Sequence, residues 1–202
     1  MEILEAHENI HKAGHGHHPE HGGATGSTKH IAVLISLLAA LLAITDTAGK
    51  SAQNTSVIAN IEAANLWSFF QAKSIRMTVL QTQIDALALD PLPAGSEQAQ
   101  AAEKQIQQWK AAVARYDSEP QTGEGRKELS QRAKTAEKKR DQALAAYHLF
   151  EYGAAALQLA IVLASAAVVT AAMVLAWIAG GLGLVGAGFG FLGWFAPTLL
   201  HL

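Results

Sequence analysis

GAAALQLAIVLASAAVVTAAMVLAWI, residues 153–178, is the stretch that decides the fold class. As a helix it extends about 39 Å, more than the roughly 30 Å of hydrocarbon in a bilayer. It opens an end of the chain, residues 153–202, that contains no Asp, Glu, Lys or Arg, whereas residues 46–152 carry most of the charge in near balance. A membrane imposes such segregation, because a charge near the bilayer centre costs at least about 2.5 kcal/mol. So long an uncharged end has few places to hide in a soluble chain of 202 residues. Gly180 and Gly181 are expected to break the run, giving one transmembrane helix over residues 153–179 and a second, glycine-rich one over 180–202.

Working towards the start, IAVLISLLAALLAIT (residues 31–45) is apolar but short. It spans if continued to Gly49, so a transmembrane helix is expected over residues 30–49, with Lys29 and His30 at one edge and Asp46 and Lys50 at the other. A cleaved signal peptide fits poorly: the preceding segment is acidic and long, and Asp46-Thr47-Ala48 is a poor cleavage site.

Small residues mark where these helices pack. Ala156, Ala160 and Ala164 form a small-xxx-small ridge, and Gly186 and Gly190 form a GxxxG pair flanked by Gly183 and Gly193. Such positions allow backbones to approach, either within one chain or between copies. Gln158, Ser165 and Thr170 are polar positions in the same apolar run, and interhelical hydrogen bonding accounts for them better than a channel lining, since no charge marks an ion path.

Between the spans, residues 50–152 carry helical periodicity. Ala59, Ala63, Leu66, Phe70, Lys73, Met77, Leu80, Ile84 and Leu87 alternate at spacings of four and three, the seam of a coiled coil with Lys73 as a polar intrusion. Proline at 91 and 93 should end that helix. A second should start after Ser96 as its cap, with Ala99, Ala102, Ile106, Trp109, Val113 and Tyr116 as its stripe. The run Glu119, Pro120, Gln121, Thr122, Gly123, Glu124, Gly125 is a break. A third helix from Arg126 carries Leu129, Ala133, Ala136, Arg140, Ala143, Tyr147 and Phe150, and should run into the following span. The chain leaves the membrane near Lys50 and must return by Gly153, so an outgoing helix and an interrupted return arm should form a long antiparallel, coiled-coil-like hairpin. The expected fold is thus an all-α integral membrane protein with three transmembrane helices and this hairpin between the first and second.

Two clusters have chemical potential. Trp67, Phe69, Phe70, Lys73 and Arg76 gather aromatic and basic groups within three helical turns, a candidate contact for an anionic lipid or partner, although core packing with solvated basic neighbours accounts for them better. Residues 1–29 form a polar tail in which His7, His11, His15, His17, His18 and His21 are suited to weakly held divalent metal, although no zinc-finger or HExxH spacing is present. No other cofactor is implied. With no cysteine there is no disulfide or catalytic thiol, and a net charge of −2 gives no footprint for nucleic acid.

The segment WSFFQAKSIR (residues 67–76) resembles the WxYYQAKxIR-like signature of bacterial membrane proteins in a domain-of-unknown-function family, family 4337. The AVLISLLAALLAIT run, the AAALQLAIVLAS opening of the second span and a histidine- and glutamate-containing tail are also similar. Phe69 and Phe70 replace the usual tyrosine pair, so no role can rest on those hydroxyls. The resemblance implies a bacterial origin and a membrane architecture, and it brings no established activity with it.

Phosphate loops, nucleophile elbows and paired carboxylates in apolar settings are absent from the sequence, so no enzyme is expected. The expected function is a self-associating membrane scaffold or an accessory subunit of an inner-membrane complex, with lipids, further copies or a larger complex as partners. A metal-linked transporter, channel or sensor using the histidine tail is the alternative. Lys50, Lys134, Lys138, Lys139 and Arg140 outnumber Lys12 and Lys29, which leans the hairpin towards the cytoplasm.

Overall fold

A computed structural model describes residues 26–89, 93 and 95–199, with side chains from residue 29 onward. Residues 1–25 with the six candidate metal-binding histidines lie outside the described residues, as do Pro91, Leu92 and the last three residues of the expected third span.

Four helices account for the described fold: α1 (Gly26–Leu89), α2 (Glu97–Asp117), α3 (Arg126–Thr170) and α4 (Met173–Phe195). Helix α1 runs 64 residues without a break, about 96 Å. Its polar residues stay compatible with helix by bonding locally. Lys50 pairs with Asp46 one turn back at 2.6 Å, and the hydroxyls of Thr47 and Thr55 donate to the carbonyls of Ala43 and Ser51. The described helix runs to Leu89, two residues before Pro91 in sequence, and α2 begins where Ser96 Oγ accepts from the Ala99 N–H at 3.1 Å. Helix α3 continues from the polar segment into the apolar one, as the register through Tyr147 and Phe150 predicts.

Contacts between α1 and the rest descend in order. Leu87 faces Ala99, Ala102 and Ile106 across a small cavity. Lys73 meets Glu119 and Glu124, Trp67 meets Glu137, and Arg140 lies 3.5 Å from Asn60. Further along, Gly49 lies against Phe150, and Leu38 clusters with Leu157 and Ala160. Helix α1 is therefore antiparallel to a return arm made of α2 and α3. The expected seam faces inward: Ala63 and Leu66 pack with Leu129, Ala133 and Ala136, and Ala59 and Ile84 are buried. Helix α2 packs more lightly, with its apolar stripe only half-buried.

Three helices are long and apolar enough to cross a membrane: the first part of α1, the last part of α3, and α4. The turn between the last two corrects the sequence reading. It falls at Ala171 and Ala172, not at Gly180 and Gly181, which lie inside α4. Ending α3 at Thr170 leaves its uncharged part about 27 Å long, close to a bilayer's hydrocarbon thickness, whereas a turn at the glycine pair would overshoot by roughly 10 Å. The glycine pair stays helical because unpaired backbone groups in an apolar setting cost several kcal/mol each, more than glycine's poor propensity. The boundary drawn at residue 179 therefore moves to 170.

At the apolar end, α4 runs antiparallel to α3 and parallel to α1. Ala179 packs with Ala164, Ala167 and Ile31. Gly183 faces Leu38, Gly186 faces Leu157 and the Gly153 carbonyl, Gly190 faces Thr45, and Gly193 faces the Phe150 ring.

Candidate functional site at the break in the return arm

The densest polar cluster forms where α2 gives way to α3, opposite the segment of α1 that carries the aromatic and basic signature. Register places Trp67, Phe70 and Lys73 on the face of α1 turned towards the return arm. Lys73 is 5% exposed. Its ammonium lies 3.9 Å from a carboxylate oxygen of Glu119 and 3.9 Å from one of Glu124. The rings of Phe69 and Tyr116 flank it at 5.3 and 5.2 Å. A buried ammonium needs this combination of carboxylates and aromatic faces to offset its lost hydration.

Neighbouring residues lock the same junction. Trp67 Nε1 donates to Glu137 at 2.8 Å, and the indole packs edge-on against Phe70. The Arg126 guanidinium lies 5.3 Å from the centre of the Phe70 ring and reaches Asp117 at 3.8 Å. Glu128 at the start of α3 spans the break: it accepts from the Ser118 hydroxyl at 2.7 Å and from the Glu119 N–H at 3.1 Å. These bonds hold the Glu128 carboxyl below the ordinary value of 4.5, the Ser118 hydroxyl being the larger cause. The Asp117 carboxyl is held below 3.8, chiefly by its hydrogen bond from Lys127 at 2.7 Å. Gly125 sits so close to Glu119 N and Ser118 Cα that a Cβ there would collide with backbone. Both carboxyls are thus favoured as anions, and the cluster's chemistry is that of a latch fixing a helix break against a long helix.

Of the residues proposed for lipid or partner contact, the structure turns Trp67, Phe70 and Lys73 inward, and their polar groups are engaged within the chain. That agrees with the core-packing reading of the cluster, because a cation on the seam must be paired where it is buried. Arg76 is exposed and Phe69 is 38% exposed. Sequence reasoning missed Tyr116, Glu119, Glu124, Arg126, Glu128 and Glu137. The signal was present: a lysine on an apolar seam calls for acids opposite it, and the hairpin register brings the acidic break there.

The small-residue positions also gather within the chain. Ala156, Ala160, Ala164, Gly183, Gly186 and Gly193 are buried at the junction of α1, α3 and α4, and Gly190 packs on Thr45. The polar residues of the apolar run act differently from expectation: Ser165 and Thr170 donate to their own helix, to Ile161 and Ala166 carbonyls at 2.8 Å each, rather than across helices. Gln158 is exposed. An open cleft of about 760 Å³ lies nearby, bordered by Ile44, Thr47, Ser51, Phe150 and Trp194. Among the described residues no group of three or more His, Cys, Asp or Glu side chains is placed to hold a metal ion.

These features define a class: an all-helical chain with three helices long and apolar enough to cross a membrane, and a latched polar arm between the first two. The family model described as Domain of unknown function (DUF4337) matches residues 27–196, all four helices, and the chain belongs to that family. No curated protein and no solved structure matches it.

Proposed function

We propose that this protein is a non-enzymatic, self-associating scaffold, or an accessory subunit of a larger complex, in the inner membrane of a bacterium. The observation that carries the reading is continuity: α1 and α3 each pass from an apolar end into a polar arm without a break. Two such helices joined side by side make a stiff, coiled-coil-like rod fixed to the membrane. The polar part of α1 is about 60 Å long, which suits a spacer holding partners off the bilayer. The polar cluster supports the same reading, since its acids and bases are spent on holding the arm closed. Lys50, Lys134, Lys138, Lys139 and Arg140, close to the arm's membrane end, favour a cytoplasmic arm.

Native mass spectrometry of the protein released gently from its own membrane tests this. The scaffold reading expects a single closed homo-oligomer, and the accessory reading expects stoichiometric co-purification with another complex. A bare monomer would contradict both.

A further inference from the structure

Helix α1 carries a second apolar stripe that its own chain leaves uncovered. One residue before each inward seam position, alternating with two before the next, the same four-three spacing picks out Ile58, Ile61, Asn65, Ser68, Ala72, Ile75, Val79 and onward to Leu89. Ile58, Ile61, Ile75, Val79 and Leu89 are 55%, 54%, 64%, 50% and 85% exposed. Outer positions of a two-stranded seam are ordinarily charged, yet none of these is. The stripe lies beyond Lys50 and Asp46, so lipid does not account for it. In the same register Val33, Leu37 and Ile44 of the apolar end are likewise exposed, with the polar Thr47, Ser51 and Asn54 between them and Ile58.

We propose that this face packs against the same face of a second copy, α1 beside α1 in parallel and in register. The inference rests on the self-associating reading above and names the surface that performs it. Four observations select a second copy over other occupants. A stripe sustained over so many heptads needs a partner helix of equal length and equal period, and α1 has both. Copies inserted by the same spans share one orientation, so the pairing is parallel, identical residues meet, and the contact closes on itself. Charge is compatible over residues 57–83: in this register Arg76 of one copy flanks Gln71 of the other and Glu62 flanks Val57, and like charges meet only at the far end, where Asp85 flanks Asp90. Area reaches the threshold: the five exposed side chains offer on the order of 100 Å² each, so two copies bring up to roughly 1,000 Å², about the least that a specific interface buries, and the in-register residues of the apolar end add to it.

The chain contains no cysteine, so single cysteines report without background. Full-length Ile61→Cys, Ser68→Cys and Ile75→Cys in lipid nanodiscs should oxidise to covalent dimers at least tenfold more than Glu103→Cys or Lys134→Cys, whose positions are also exposed. Because the stripe is open in the single chain, Ile61→Glu with Ile75→Glu should keep the helical circular dichroism while lowering the oligomer population at least tenfold. Stripe cysteines that cross-link no better than the controls, in a protein that native mass spectrometry shows to be oligomeric, would overturn this face and leave the scaffold reading standing. A monomer by native mass spectrometry would remove both. A different protein that co-purifies and shields the stripe cysteines from thiol reagents, without self-cross-linking, would overturn the second copy as occupant.

Discussion

Lys73 shows how one polar residue on an apolar seam can decide local architecture. Its stem packs within the seam while its ammonium draws Glu119 and Glu124 to the point where the return arm breaks. Replacement by an apolar residue of similar shape removes the buried charge but leaves Glu119 and Glu124 without their shared cation, and because both acids keep access to water Lys73→Met should cost only about 1 kcal/mol. Lys73→Glu instead adds a carboxylate to an acidic junction and should cost about 3 kcal/mol. Hydrogen exchange over residues 115–130 separates the two, with local opening raised at least tenfold only by the glutamate. The same junction has a pH dependence of definite sign. Asp117 and Glu128 are both held below their ordinary values of 3.8 and 4.5, so their stabilisation is present above those values and lost as pH falls through the lowered ones. Protection of the junction, corrected for intrinsic exchange, should therefore hold from pH 7 down to about pH 5 and then fall, and Glu128→Gln should weaken that acid-side change. Lys73 was legible in the sequence as an intrusion in the heptads. Its partners were not, because they come from a turn whose position opposite residue 73 depends on the register of the whole hairpin.

At the scale of elements, glycine and alanine set how closely α3 and α4 approach. A Cβ at Gly153 would lie 2.9 Å from the Gly186 carbonyl oxygen, and one at Gly186 would lie 2.8 Å from Leu157 Cγ. Gly153→Val or Gly186→Leu should thus force the helices apart and cost about 1–3 kcal/mol, seen as a lower melting temperature in detergent. Gly188 points into open space, so Gly188→Leu should stay within about 0.5 kcal/mol of the parent. The turn offers the converse. Ala171 adopts φ 52° and ψ 19°, a conformation that costs a non-glycine residue about 1 kcal/mol, so Ala171→Gly should raise the melting temperature. Helix identity, the cap at Ser96 and the inward seams follow from periodicity and were readable in advance. The turn at residues 171–172 was not, because glycine punctuates helices in water but not reliably in an apolar setting, where span length and packing decide. The outer stripe on α1 was equally visible in the sequence and was masked by the stronger inward seam running beside it.

For the whole molecule, the defining property is that one helix serves as both apolar anchor and polar arm. No residue between the two parts of α1 breaks the helical ladder: Gly49 is tolerated because it gives room to Phe150, and Lys50 caps its own turn through Asp46. The arm's direction is then tied to the tilt of the span, and α3 repeats the coupling on the return. On the scaffold reading proposed above, a rod held at both strands by a membrane would transmit orientation from one end to the other.

The most direct test of this continuity is a spin-label scan of α1 in lipid bilayers, combined with one distance. Labels at Val33, Leu37 and Ile44 should favour oxygen, and labels at exposed positions of the polar half that lie off both stripes, such as Gln71, Thr78 and Gln81, should favour a water-soluble nickel chelate. With labelled chains diluted in unlabelled ones, labels at Gln53 and Ala88 should lie about 52 Å apart, the rise of an unbroken helix. A distance well below that, or oxygen-favouring labels at those polar-half positions, would mean a bent arm or one lying on the bilayer, and would contradict the account.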